Sequence, residues 1–202
     1  MPQADEIVAI VVVASFASGL NVYATVATLG LLAHANVVQF PHALHLLTAW
    51  PVIVAAALLF LVEFFADKVP AFDLAWNALQ TFVRVPVAAL ISYGATAQMS
   101  LGARLLATAA GAAIALATHS GKIAIRAGVT PSPEPFSNIA LSVGEDAIAI
   151  GLTWFATAHP YIAATLVVCL LVLIVIFVRV VIRGLRRLFR LARRAAPGAG
   201  AA

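Results

Sequence analysis

Residues 161–178 form an 18-residue run without a charged side chain, and seven arginines follow: Arg179, Arg183, Arg186, Arg187, Arg190, Arg193 and Arg194. A run of that length crosses a bilayer as a helix. The arginines stop and orient it, because Lys/Arg-rich flanks stay on the cytoplasmic side. Composition agrees, with 63% of residues apolar and 10% charged, where a soluble domain is nearer half and a quarter. So little charge cannot cover a water-facing surface, and the apolar excess needs lipid. The fold class is therefore an all-α polytopic membrane helix bundle.

Six spans are expected, at 7–32, 50–66, 85–98, 101–118, 138–157 and 161–182. With the last one ending in the cytoplasm, alternation puts both termini there. Charge supports the arrangement: the inside segments hold Lys68, Arg84, Lys122, Arg126 and the tail arginines, while the outside holds only Arg104. Residues 1–182 then form the bundle, and 183–202 a basic cytoplasmic tail, amphipathic along the headgroups and then disordered. Asp5 and Glu6 open the chain without Lys or Arg, unlike the basic start of a signal peptide. Cys169, the single cysteine, lies mid-span and forms no internal disulfide.

The first span is overlong, at about 39 Å for a straight helix, and Ser18-Gly19-Leu20-Asn21 interrupts it before Tyr23. Either it tilts around a close-packing glycine, or it breaks into halves whose ends point into the bundle. The fourth span repeats small residues at Ala103, Ala107, Gly111 and Ala115, a face that admits another helix closely, with His119 next along it. The stretch from Glu63 through Lys68, Asn77 and Arg84 also resembles that from His119 through Lys122, Asn138 and Glu145. Each is a span end, a proline-containing connection and a new span. An internal duplication and a chance likeness both fit, and transport proteins often carry such repeats.

Ionisable groups inside spans are the main candidates for function, since a charge at the bilayer centre costs on the order of 3 kcal/mol even on the mildest scale. Glu145 and Asp146 sit within the fifth span, on a stripe with Asn138 and Ser142, and Glu63 and Asp67 share a face near the end of the second. The expected network sets Glu63, Asp67, Glu145 and Asp146 against Lys68, Arg84, Lys122 and Arg126. Buried charges survive only when paired. Such a network either locks the bundle or lines a vestibule where an ion, proton or anionic group binds, with Asn21 completing the pathway. His34, His42 and His45 near the outer loop lack the company a metal site needs, so no metal and no cofactor is expected. No nucleophile with a His/acid partner stands out, and an enzyme is the least expected class.

The motifs Ser18-Gly19-Leu20-Asn21-x-Tyr23, Asp67-Lys68-x-Pro70, Ser120-Gly121-Lys122 and Asn138-x-x-x-Ser142-x-x-Glu145-Asp146 together resemble a bacterial family of small multi-pass membrane proteins. That family is catalogued as a domain of unknown function, and the likeness runs from about Ser15 to Arg187. It implies a membrane fold and no substrate.

The leading expectation is a small transporter or channel-like protein of a bacterial inner membrane, with a charged cytoplasm-facing site. One alternative is handling of anionic or polyprenyl lipids, with Arg183, Arg186, Arg187 and Arg190 holding headgroups. The other is a scaffold whose charges are structural and whose partners pack on the 103–115 face. Nucleic acid is not expected as a partner, and a homodimer would give so short a chain room to move.

Overall fold

A computed structural model describes residues 3–67, 70–129 and 135–195. The order is α1 (Ala4–His34), a short 3-10 helix (His42–Thr48), α2 (Trp50–Ala66), α3 (Pro70–Ala95), α4 (Leu101–Val129), α5 (Pro135–Ala158) and α6 (Pro160–Ala195), with no strand among the described residues. Pro51, Pro70, Pro135 and Pro160 each fall in a first turn. There the missing N–H has no helical partner to lose, and the fixed φ already suits the helix.

α1 is the hub and packs against all five other helices. Of its most apolar window 72% is buried, against 6% for α6, so α6 lies at the lipid rim. Yet α1 is not one rod. Asn21 leaves the helical region at φ −150°, ψ 103°, separating a first arm (residues 4–20) from a second (22–34).

The two arms fold back on each other. At the start of the first, Tyr161 Oη donates to Asp5 Oδ2 at 2.8 Å, and Met99 of the α3–α4 connection shares a groove with Ala4 and Asp5. At the end of the second, His34 stacks on Trp50 with ring centroids 4.7 Å apart, and Gly30 abuts Leu47 and Ile53. Leu44 of the 3-10 helix meets Gly94 near the end of α3. Both ends of α1 therefore lie at one end of the bundle, with the starts of α2, α4 and α6. Midway down, Ile10 and Leu29 line a single cleft. α1 is a re-entrant hairpin with Asn21 at its apex, its arms about 26 and 20 Å long at 1.5 Å per residue.

This path corrects the expected topology. The N-terminus sits beside Tyr161 and the arginine tail at the far end of α6, so the two termini are not on the same side. The charge count could not detect this, because residues 1–6 carry no Lys or Arg and fit either side equally. Five helices are long and apolar enough to span, α1 among them; α2 qualifies only together with the 3-10 helix, from which it bends by 58°. With α1 turning back, α2 to α6 make five crossings rather than six.

The third span also differs, since α3 begins at Pro70 rather than near 85. Asn77, Gln80 and Arg84 lower its hydropathy but point inward, while Leu79 and Phe82 face outward. The expected irregular segment from Pro70 to Pro86 is helix. Residues 130–134, with most of the proline-rich connection, and Lys68 lie outside the described residues. α6 continues unbroken through 183 to Ala195, so the bundle–tail boundary marks no break in the helix.

Small residues make the central crossing. A side chain at Gly19 would press on the Ala115 carbonyl and Thr118 Cβ at 2.7 Å, and one at Gly111 would strike Ser92 and Ser15. Close approach lets dispersion hold the helices where lipid supplies no hydrophobic drive. The inner part of the α4 stripe is thus spent inside the bundle, which removes it as an external docking face.

The re-entrant path is testable by labelling. In a Cys169→Ser background, Gln3→Cys and Arg190→Cys should react with a membrane-impermeant thiol reagent from opposite faces of sealed vesicles. Labelling of both from one face would overturn the hairpin.

Candidate functional site at the apex of α1

Breaking a helix at membrane depth frees backbone groups that lipid cannot satisfy. Asn21 supplies part of the remedy, capping the second arm by accepting from the Ala24 N–H at 2.9 Å through Oδ1. Asparagine with extended backbone is a favoured N-cap, typically contributing about 1 kcal/mol over alanine. Its carbonyl accepts from Thr25 Oγ1 at 2.8 Å, and its Nδ2 donates to Asp146 Oδ1 at 2.8 Å.

Cations meet the carbonyls that end the first arm. Arg84 Nη1 donates to Gly19 O at 2.9 Å and Leu20 O at 2.7 Å, and Lys122 Nζ to Leu20 O at 3.3 Å. The negative end of one half-helix dipole thus faces two positive charges. The positive end of the other lies beside the Asp146 carboxylate. Both placements are electrostatically favourable.

Those cations need partners in turn. Arg84 Nη2 pairs with Glu63 Oε1. Lys122 Nζ lies 3.1 Å from Asp67, 3.2 Å from Glu145 and 3.5 Å from Glu63. Arg126 Nη2 bridges Asp67 at 2.8 Å and Glu145 at 2.6 Å. Arg84 Nη1 also donates to His119 Nδ1 at 3.0 Å, and His119 Nε2 lies 2.9 Å from the Asn77 carbonyl. An arginine can only donate, so His119 Nδ1 accepts, which assigns the neutral tautomer with its proton on Nε2 facing that carbonyl.

The cluster is sealed. Glu63 and Arg84 are fully buried, and Glu145 is the most accessible member at 9%. Several atoms in it are buried without a hydrogen-bond partner: Ser18 Oγ, Glu63 Oε2, Asp67 Oδ1, Arg84 Nε, Ser142 Oγ and Asp146 Oδ2. No group of metal-ligating side chains occurs among the described residues.

The structure thus gathers Asn21, Glu63, Asp67, Arg84, Lys122, Arg126, Glu145 and Asp146 from five helices. Arg84, expected to correspond to Glu145 in the possible duplication, pairs instead with Glu63. The side chain of Asn138 lies outside the described residues, as does Lys68. His119 and Asn77 were not anticipated as members. The four-residue spacing from Gly111 through Ala115 to His119 put that histidine on the buried face of α4, and was the signal available. Arg183, Arg186, Arg187 and Arg190 lie exposed on the helix, apart from this site. His34, His42 and His45 are exposed at the opposite end.

Removing one partner of a buried pair strands the other charge, at a cost of about 3–5 kcal/mol. Arg84→Met should therefore lower unfolding stability by about that much in detergent titrations, and Glu63→Leu with Arg84→Met should recover most of it. Additive losses in the double variant would show that the two side chains do not act as a pair.

No curated protein and no solved structure matches the chain. One family model, described as Domain of unknown function (DUF4126), matches residues 8–180. That match takes in the re-entrant hairpin, every charged residue at its apex and nearly all of α6, and the chain belongs to this family.

Proposed function

We propose that this multi-pass membrane protein is a small transporter or channel-like protein, whose site is the charged cluster at the apex of α1. The observation that carries the reading is the pairing of a helix broken inside the bundle with seven ionised side chains around the break. Discontinuous helices place their dipole ends at substrate and ion sites in transporters, and ionisable groups at membrane depth commonly mark ion or proton pathways.

In this reading the arginine end is cytoplasmic, by the retention of basic flanks. The N-terminus and the α1–α2 connection then face the outside, and α1 dips inward from there. Glu145, the least sealed charge, forms the approach from the cytoplasm. The acids exchange a cation or proton, and Arg84, Lys122 and Arg126 hold an anionic group when the cluster opens. The sealed arrangement corresponds to an occluded state. A bacterial inner membrane is the proposed location. The exposed arginines of α6 would rest on anionic headgroups, each worth about 1 kcal/mol near such a surface.

A second reading has its own support. The described charges are extensively paired and closed to solvent, as a purely structural lock would be. Flux separates the two. Purified protein in proteoliposomes should pass ions or small anionic solutes above empty-liposome background, and Glu145→Gln should return flux to background while the variant stays monodisperse. A folded Glu145→Gln with undiminished flux would remove the cluster from the pathway, and no flux of any solute in wild type would leave the lock.

A further inference from the structure

The described cluster does not balance. Glu63, Asp67, Glu145 and Asp146 bring four negative charges, and Arg84, Lys122 and Arg126 bring three positive ones. Each cation salt-bridges Glu63, Asp67 or Glu145, and none pairs with Asp146. Asp146 is 5% exposed, its Oδ1 accepts from the Asn21 amide, and its Oδ2 is buried without a partner.

Two further polar groups bracket that carboxylate. Ser142 lies one turn before Asp146 on the same face of α5, and Ser18 lies one turn before Asn21 on α1. Both are fully buried, and both hydroxyls are unpartnered. An uncompensated carboxylate and two idle hydroxyls at the mouth of a broken helix are costly unless something of charge +1 occupies the place.

We propose that Asp146 is a proton-binding site, the residue through which the cluster loads and releases H+. The proton adds to Oδ2 and leaves from it, with no other bond made or broken. A dehydrated metal ion would ask for a shell of about six oxygens. The carbonyls of Gly19 and Leu20 are already taken by Arg84 and Lys122. A proton needs one oxygen and an acceptor.

Both states of the site are accommodated. With Asp146 protonated, the described charges of the cluster sum to zero. With it ionised, the Asn21 amide and the N-terminal end of the second α1 arm hold the charge. A hydroxyl can accept from the acid or donate to the carboxylate, so Ser142 and Ser18 suit either state. The groups that set its field are Glu63 and Asp67 on α2, Arg84 on α3, neutral His119 with Lys122 and Arg126 on α4, and Glu145 beside it. Described α6 brings no ionised side chain before Arg179. The proposal names the coupling ion of the site above and rests on that reading only for its role in transport.

Infrared spectroscopy of the full chain in liposomes tests it, with and without carbon-13 in the aspartate carboxyls. The chain has four aspartates: Asp5, Asp67, Asp73 and Asp146. Wild type should show a protonated-carboxyl band near neutral pH that shifts on aspartate labelling and fades as pH rises. The band should vanish in Asp146→Asn, persist in Glu145→Gln, and lose its sensitivity to aspartate labelling in Asp146→Glu. A labelled band that survives in Asp146→Asn or stays label-sensitive in Asp146→Glu, or no labelled band at any pH where the protein is folded, would overturn the assignment. The band with no flux of any solute would overturn the transport reading and leave the proton site standing.

Discussion

A chain that turns back inside a bilayer must satisfy its freed carbonyls and amides without water, and this constraint organises the protein. At Asn21 the carbonyls of Gly19 and Leu20 lose their helical donors, and Arg84 and Lys122 take them. Two cations at that depth call for carboxylates, which Glu63 and Asp67 supply from the end of α2. Arg126 and Glu145 complete the set by bridging α4 to α5. One residue of non-helical backbone thus accounts for most of the ionised groups in the core. The helices carrying them can approach so closely only because Gly19 and Gly111 present no side chain at the crossings.

Structural and functional readings of the cluster are therefore less opposed than they look. The pairs around Arg84 and Arg126 seal a broken helix, which any protein with this path must do. Asp146 contributes nothing to that task that a neutral side chain could not: it touches no cation, and it accepts from an asparagine whose capping oxygen is engaged elsewhere. An ionisable group retained where its charge is uncompensated is better explained by exchange than by architecture.

Much of this was legible in the residues. The run before the arginines identified the membrane class, Ser18 to Asn21 marked the interruption, and the acids of 63, 67, 145 and 146 with the bases of 84, 122 and 126 named the cluster. The hairpin was hidden because its direction leaves no trace in charge: residues 1–6 have no Lys or Arg to be retained on either side. The start of α3 was hidden for a different reason. Mean hydropathy treats Asn77, Gln80 and Arg84 as reasons against a span, whereas burial against α1 and α4 makes them its inner face. His119 carries no motif and enters the site only because α4 crosses α1 at Ala115.

The central claim is that α1 enters the bundle and returns, so that Asn21 is an apex rather than a waypoint. A spin-label distance between positions 5 and 34 in lipid, measured by double electron–electron resonance, tests it most directly. A straight helix would hold those positions about 44 Å apart at 1.5 Å per residue. A hairpin brings them to a far shorter separation, and this is the result expected. A distribution centred near the straight-helix value would contradict the account.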